Sequence, residues 1–295
     1  MSINLPSHYV QQYASNLELL LQQTNSRFSD KVMNSSHTGE QAALVDQVAA
    51  VEMQTPAGRF APIGRVDAAV DRRWVAPEDF DLPQLVDSFD KLRLLLDPTS
   101  TYVKNGVAAV NRRYDRSIVA AFFGTSLTGK TGTTSTTFLA ANQVAVTMGA
   151  AAATGMNFKK LREAKRILMS YDIDIEMEQI FFSVTAKQHD ELLAENQIVS
   201  LDYADKAVLA EGKIVRVLGM NLVHTELNSL DSNSYRRCPV WCKSGMDLGK
   251  WGAQVTDIAQ RKDLSGLPYQ VYQAMTCGAT RLDEKKVVEI KCSEA

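Results

Sequence analysis

The chain has 295 residues, 45% hydrophobic and 22% charged, a composition typical of a globular protein with one large domain or two ordinary ones. No apolar run reaches the roughly 18 residues of a membrane helix, and the polar N-terminus lacks the pattern of a secretion signal, so we expect no membrane partner. The net charge of −2 gives no basic field for sequence-specific nucleic-acid binding.

Residues 1–38 are predicted to form an N-terminal arm. Apolar residues at helical spacing indicate one amphipathic helix near its start, and they are Tyr9, Tyr13, Leu17, Leu20 and Leu21. The stretch from Thr24 to Thr38 is polar and has little core of its own. We therefore expect that stretch to be either loose or held by a partner.

Residues 41–75 are predicted to form a long β-hairpin. Apolar and polar residues alternate between 65 and 74, the period of a half-buried strand, whereas the partner strand near 45–54 alternates less cleanly. Turn signals at 55–58, Pro62 and Gly64 separate the two strands. The neighbouring sequence offers no third strand, and an isolated two-stranded ribbon is marginal in water. The pattern leaves two supports equally open, the chain's own domain and another subunit.

Two helices are predicted between residues 83 and 124. The first, over 83–96, has Pro83 near its first turn, and its apolar side consists of Leu85, Phe89, Leu92 and Leu96. The second, over 98–123, follows an Asp97 N-cap and ends before Gly124, a typical C′ residue. Its apolar stripe consists of Val103, Val107, Val110, Tyr114, Ile118 and Phe122. At about 1.5 Å per residue this helix would be roughly 40 Å long, and something must lie along its stripe.

The rest of the chain is predicted to be mixed and then mostly strand. Residues 125–156, rich in Thr, Gly, Ser and Ala, are predicted to form a loop. A helix capped by Asn157, a strand near 179–184 and a helix opened by a Thr185–Gln188 capping box follow. The later predicted strands lie at 206–209, 214–218, 221–224, 237–243, 253–259, 269–279 and 286–292, with a turn at 283–284 between the last pair. Because helices and strands form separate groups, the sequence predicts an α+β fold and not a doubly wound parallel sheet.

One segment resembles a nucleotide-binding motif. Residues 124–131 match the P-loop pattern residue by residue, with Lys130 and Thr131 at the lysine and hydroxyl positions. A working P-loop follows a strand and opens a helix, whose N-terminus supplies much of the phosphate site. Here a predicted helix precedes the motif, and the Gly/Thr-rich residues after it are poor helix formers. We therefore expect a chance match and keep a P-loop nucleotide hydrolase only as a remote alternative.

No other group of residues forms a recognisable reactive site. The histidines, His8, His37, His189 and His224, lack metal-ligand spacing. The cysteines, Cys238, Cys242, Cys277 and Cys292, are spread widely and are expected to be reduced thiols. The acidic alternation at 172–178 is typical of a solvated strand face. We expect no catalytic residues, no cofactor and no metal, and hence no enzyme.

Several stretches, in their order and spacing, resemble the major capsid proteins of tailed bacteriophages. They are Asp71-Arg72-Arg73-Trp74-Val75, residues 90–100, Ala121-Phe122-Phe123-Gly124, residues 161–165, residues 185–190, Arg237-Cys238-Pro239-Val240-Trp241 and residues 278–290. The resemblance extends from about residue 40 to the end of the chain.

The resemblance implies a Hong Kong 97-like major capsid fold. Its parts would be an N-terminal arm (1–38), an extended hairpin loop (39–78), a peripheral domain (79–156 and 261–295) with a spine helix at 98–123, and an axial domain (157–260). In this family the hairpin lies across a neighbouring subunit. Arg72, Arg73 and Trp74 on the hairpin are therefore our candidates for contacts between subunits.

The function implied is a structural one. The chain would assemble with itself, as hexamers and pentamers, into the icosahedral shell of a tailed double-stranded DNA phage, in the host cytoplasm. A separate scaffolding protein, a portal and a decoration protein are possible partners, and the enclosed DNA would be contacted without base readout. The alternative within the same fold is the shell of a bacterial nanocompartment, which would enclose a cargo protein.

Overall fold

Three α-helices and fourteen β-strands form the regular structure of the described residues. The residues that this computed structural model describes are 22–39, 42–55, 58–59, 64–86, 99–171, 173, 176–195 and 214–294. The helices are α1 (Thr99–Phe123), α2 (Phe158–Met169) and α3 (Ala186–Leu193). The strands are β1 (Met33–His37), β2 (Ala42–Val48), β3 (Val70–Val75), β4 (Glu78–Val86), β5 (Ser126–Thr128), β6 (Thr134–Thr136), β7 (Gln143–Val144), β8 (Ile180–Val184), β9 (Arg216–Val217), β10 (Met220–His224), β11 (Arg236–Cys242), β12 (Met246–Gln260), β13 (Tyr269–Arg281) and β14 (Val287–Cys292). The predicted α+β class is confirmed.

Helix α1 is the longest helix in the described part of the chain, and it lies within two residues of its predicted limits. Val110, Ile118 and Phe122 of the predicted stripe are buried, but Val107 is exposed. The reason is that α1 is covered from two sides, by β13 and by the segment before β1, so its buried surface does not follow a single stripe.

The sheet under α1 has the strand order β1-β12-β13-β4. Strands β12 and β13 form a long antiparallel hairpin, and β4 pairs antiparallel with the free edge of β13. Strand β1 runs parallel to the first part of β12, from Asp247 to Trp251. Beyond a register shift between Trp251 and Val255, the outer part of β12 is exposed.

Strand β4 corrects the helix predicted at 83–96. Its residues 83–86 are extended and pair with β13, with Pro83 opposite Tyr272. Proline is tolerated there because β4 is an edge strand, where a missing N–H does not interrupt a ladder. The side chain of Leu85, placed on the apolar side of the predicted helix, is about half exposed. Residues 87–96 lie outside the described residues.

A second sheet has six strands in the order β7-β14-β11-β8-β10-β9. Helices α2 and α3 begin at their predicted caps: Asn157 accepts from the backbone N–H of Lys160, and Thr185 and Gln188 form the capping box. Their apolar faces enclose a core with the buried sides of β8, β11 and β14. The strand predicted at 206–209 lies outside the described residues.

The predicted hairpin forms the third sheet, with the order β2-β3-β5-β6. Strands β2 and β3 pair antiparallel as expected. The expectation that no third strand supports them is wrong, because β5 pairs with β3, and β6 with β5. Both come from residues 125–156, predicted to be only a loop. That stretch is rich in threonine, a β-branched residue with a good strand propensity.

The two last strands belong to different sheets. A short turn of 3₁₀-helix, Glu284–Lys286, follows β13 and leads into β14, which pairs with β11 in the six-stranded sheet. The predicted turn at 283–284 therefore joins two sheets and not two paired strands. Strand β12 pairs with β13 under α1, although its residues fall within the range 157–260 assigned to the axial domain. In the described part of the chain, no helix is long and apolar enough to cross a membrane.

Candidate assembly surfaces

The segment before β1 is bound along the polar side of α1. Asn111 Nδ2 donates to the carbonyl of Thr24 at 2.8 Å, and Arg112 Nη1 donates to the carbonyl of Gln23 at 3.0 Å. These polar helix residues thus satisfy the backbone of an irregular segment that has few partners of its own.

Asp115 is the centre of this contact. Its fully buried carboxylate accepts hydrogen bonds from the backbone N–H of Arg27 at 2.9 Å and of Phe28 at 3.3 Å, and from the side chains of Gln23 and Ser26. Several donors around one carboxylate replace the water that burial removes. Asp115 therefore fixes the turn at 26–29 on the helix.

Phe28 inserts from this turn into an aromatic cluster. Its ring centroid lies 6.0 Å from that of Phe122 at the end of α1 and 5.5 Å from that of Trp241 on β11. The indole Nε1 of Trp241 donates to the carbonyl of Lys31 at 3.0 Å. One aromatic residue thus joins the segment, the long helix and the six-stranded sheet.

Residues 22–37 are consequently held by their own subunit, and the expectation of a loose or partner-bound stretch is wrong for them. The predicted helix at Tyr9–Leu21 lies outside the described residues. Asp115 and Phe28 were not recognised from the sequence. The available signal was a carboxylate and two asparagines on one side of a long helix, a face that an irregular backbone can bind.

The base of the hairpin is fixed by a buried ion-pair network that we call the hairpin joint, formed by Arg73, Arg281 and Glu284. Arg73 Nη1 lies 3.1 Å from Glu284 Oε1, and Arg281 Nε lies 2.8 Å from Glu284 Oε2. Arg281 is fully buried, and burial lowers the pKa of its guanidinium while Glu284 opposes that shift.

Arg281 also binds the end of the long helix. Its Nη1 donates to the carbonyls of Ala121, Phe122 and Gly124, at 3.1, 2.9 and 2.6 Å. The last carbonyls of a helix lack partners within it, and a cation there is favourable. Glu284 therefore links the hairpin to the C-terminus of α1 through two arginines.

Trp74 and the segment resembling a P-loop complete the base of the hairpin. The indole Nε1 of Trp74 donates to the carbonyl of Gly129 at 2.7 Å, and the ring covers Gly132, where a Cβ would lie 3.0 Å from its nearest ring atom. Gly129 and Gly132 both have positive φ, so they serve the tight turn between β5 and β6. A helix precedes this motif and a strand follows it, so it lacks the strand–loop–helix context of a phosphate site.

The three candidate contact residues thus have different surroundings. Arg73 is buried in the hairpin joint, and Trp74 is engaged with the turn after β5. Arg72 is exposed and pairs with Asp46 on the opposite strand, with Nη2 and Oδ2 2.9 Å apart. That pair raises the pKa of Arg72 and lowers the pKa of Asp46, because the hydrogen bond between the two side chains stabilises the charged form of each. Of the three, Arg72 presents its side chain outwards.

Beyond its base the hairpin exposes apolar side chains. Among the described residues the exposed ones are Val48, Val51, Met53, Val66 and Val70, and Met53 is completely exposed. An anchored ribbon with an uncovered apolar surface is typical of an interaction site. A second exposed surface lies at the outer ends of β12 and β13, with Val255 and Ile258.

The reactive groups that the structure describes have structural surroundings. The cysteines are buried free thiols, and burial raises the pKa of Cys242 to about 12, which leaves its thiol protonated at neutral pH. His189 is partly buried, which lowers its pKa. No group of three or more potential metal ligands occurs within the described ranges.

The same arrangement of elements occurs in solved shells of bacteriophages. The capsid of cyanophage P-SCSP1u matches with a TM-score of 0.75 at 12% identity, covering 97% of this chain and 93% of that one. The capsid of cyanophage Pam1 matches with 0.72 at 9% identity, covering 100% and 99%. The capsid of Ralstonia phage GP4 matches with 0.70 at 11% identity, covering 96% and 94%. The fold is thus the Hong Kong 97-type capsid fold.

The family follows from the sequence itself. A family model described as phage capsid protein matches residues 5–294, and the chain belongs to that family. No curated protein matches the chain significantly. A member of this family with this fold is a major capsid protein, the subunit of an icosahedral phage shell.

Proposed function

We propose that the chain builds the shell of a tailed double-stranded DNA phage through its hairpin, as hexamers and pentamers. The observation that carries this proposal is the contrast within the hairpin. Its base is fixed by the buried hairpin joint, whereas its distal strands expose apolar side chains that the described residues do not cover. Such a ribbon keeps a fixed direction and gains stability when a neighbouring subunit covers it.

The contacts of Arg72 also support assembly through the hairpin. Its guanidinium lies at the outer surface of the hairpin, with its centre 5.9 Å from the Trp74 ring centroid. A guanidinium held by one carboxylate still has donors for a second acceptor. We propose Arg72 as the residue among the three candidates that contacts the next subunit, with Arg73 and Trp74 holding it in place.

The domains are best divided by sheets. We propose that α1 with β4, β12 and β13 forms the peripheral domain, with which β1 of the arm pairs, and that the six-stranded sheet with α2 and α3 forms the axial domain. This modifies the predicted limits at three places: β12 joins the peripheral domain, and β7 and β14 join the axial domain. Residues 1–38 and 39–78 keep their roles as arm and hairpin loop.

The role is structural, with no enzymatic step proposed. We further propose assembly in the host cytoplasm, and a scaffolding protein, a portal and a decoration protein as partners. The net charge of −2 fits a protein that encloses DNA without reading its bases. The family match favours a phage shell over the shell of a nanocompartment.

Deleting residues 55–64 tests the hairpin directly. The variant should fold with an unfolding midpoint close to that of the parent, because the hairpin joint is retained, but should fail to form closed shells. The measurements are circular dichroism for folding and electron microscopy for assembly. Normal shells from the deletion variant would refute the role of the hairpin.

A point substitution gives the matched control. Met53→Asp places a charge on the completely exposed hairpin methionine, and should reduce shell yield without changing stability. Met177→Asp alters another strongly exposed methionine outside the hairpin and should assemble as the parent does. Equal yields from both variants would count against the hairpin as the assembly surface.

A further inference from the structure

We propose that the exposed side of helix α2 binds the phosphate backbone of duplex DNA, without regard to base sequence. Four cations of α2 and one arginine of β9 carry this inference, and we call them the basic face: Lys159, Arg162, Lys165, Arg166 and Arg216. The inference rests on the proposed function, because it names the surface through which the shell protein contacts the DNA that it encloses.

The sequence of α2 places these cations on the side of the helix that faces away from the core. Leu161, Ala164 and Leu168 are fully buried against the six-stranded sheet. At about 100° per residue, positions 159, 162, 165 and 166 lie within about one third of the helix circumference, opposite the buried side. The side chains at 159, 162 and 166 are exposed, and the side chain at 165 is partly exposed.

The remaining cation of α2 has a different role. Lys160 is fully buried, and its Nζ donates to the carbonyls of Thr154, Gly155 and Lys291, each at 2.8 Å. A buried ammonium group with three acceptors holds the backbone around it. Lys160 is therefore a structural residue and does not belong to the basic face.

The positive charge of the basic face is largely uncompensated. Lys159 and Arg162 form no hydrogen bond or ion pair with the described residues. Lys165 Nζ donates to the carbonyl of Leu218 at 2.9 Å, an uncharged acceptor. Arg166 pairs with Glu163, the one carboxylate in the sequence of α2, with Nε and Oε2 2.8 Å apart. The exposed side of the helix thus keeps a surplus of three positive charges.

Arg216 extends the basic face onto the turn between β9 and β10. A Cβ at Gly219 would lie 3.9 Å from Lys165 Nζ and 3.9 Å from Arg216 Nη2, so the two cations lie close together around a residue without a side chain. Like charges at short range repel each other unless an anion lies between them. An anionic ligand at this turn would relieve that repulsion.

The composition of the basic face favours DNA over an acidic protein. The centres of protein–protein interfaces are apolar and depleted in charge, whereas protein–DNA interfaces are polar and strongly positive. Helix α2, all of whose residues the structure describes, has one exposed large apolar side chain, that of Met169. From Lys159 to Arg166 the helix rises about 10 Å, a length over which duplex DNA carries about six phosphates.

The test is fluorescence anisotropy of a labelled duplex of about 30 base pairs, titrated with the full chain at several salt concentrations. Two unrelated sequences should bind equally. The logarithm of the association constant should fall with the logarithm of the salt concentration with a slope of about −3, since each neutralised phosphate contributes about −0.9. No binding at about 50 mM salt, or a strong preference for one sequence, would overturn the proposal.

Two variants with the same change in charge locate the contact. Lys159→Glu should weaken binding about tenfold and make the salt slope shallower by about 1. Lys262→Glu reverses an exposed lysine in the connection between β12 and β13 and should bind as the parent does. Equal losses in the two variants would show an effect of net charge and would overturn the assignment to the basic face.

Two further measurements separate this inference from its neighbours. Poly-glutamate carries its charges at about twice the spacing of the phosphates and should compete at least tenfold more weakly than unlabelled duplex at equal charge. Equal competition would indicate an acidic protein partner and overturn the proposal. Electron microscopy of the same preparations tests the shell separately: normal shells without DNA binding, or with α2 on their outer surface, would overturn this inference alone.

Discussion

At the scale of single residues, several side chains do more than their positions in the sequence indicate. Asp115 lies in the middle of a long helix, where a carboxylate usually faces water, yet here it organises a turn nearly 90 residues earlier in the chain. Nothing local indicates this, because its partners are backbone N–H groups of an irregular segment. Such contacts depend on the tertiary arrangement and could not be predicted from periodicity.

Gly106 is a second such residue. Glycine within a helix costs about 1 kcal/mol relative to alanine, so its presence in α1 needs a reason. A Cβ at this position would overlap the side chain of Gln273, which is buried and donates from Nε2 to the carbonyl of Val103 at 3.1 Å. Gly106 therefore lowers the helix propensity of α1 but allows the helix to pack closely on β13.

A double-mutant cycle tests this interpretation. Gly106→Ala should destabilise the parent by about 1–3 kcal/mol because Gln273 must leave its position. In a Gln273→Ala background the same change should instead stabilise by up to about 1 kcal/mol, through helix propensity alone. Denaturant unfolding of the four proteins measures both effects. The same sign in both backgrounds would show that Gln273 is not the reason for the glycine.

At the scale of elements, the hairpin shows what sequence patterns can and cannot predict. The period of two between 65 and 74 correctly predicted a strand from residue 70 onwards, whereas 65–69 are not strand, and the predicted antiparallel pairing of β2 and β3 is confirmed. The supporting strands β5 and β6 were missed because three-residue strands in a Gly/Thr-rich stretch carry no periodic signal. The helix predicted from Pro83 failed at its start because pairing with β13 outweighed a weak helical pattern.

The hairpin joint gives the prediction at this scale. Glu284→Ala leaves Arg73 and Arg281 buried without their shared carboxylate, which should cost about 3–5 kcal/mol of unfolding free energy. The amides of β3 should also lose protection from exchange, since Arg73 no longer fixes that strand. Asp263→Ala, which removes the exposed partner of Arg261, should change stability far less. A small effect of Glu284→Ala would mean that Trp74 and β5 alone hold the hairpin.

At the scale of the whole molecule, the sequence predicts the fold and the role of the protein more completely than it predicts individual contacts. The order of the quoted stretches, from 71–75 to 278–290, carried the resemblance, and the family match over residues 5–294 agrees with it. The surfaces were less accessible to sequence reasoning. Arg72, Arg73 and Trp74 all have partners within their own subunit, because a tryptophan or arginine that could anchor a neighbour can equally well anchor its own hairpin. Their contact with a neighbouring subunit stays a prediction.

The shell claim is tested most directly by cryo-electron microscopy of particles purified from cells that produce this chain. We predict closed icosahedral shells of uniform diameter in which the hairpin residues 46–70 are covered by the adjacent subunit of the same hexamer or pentamer. Particles in which these residues contact only their own subunit would contradict the proposed mode of assembly. A failure to form any closed shell even when the proposed scaffolding protein is produced together with the chain would contradict the assignment as a self-assembling shell protein.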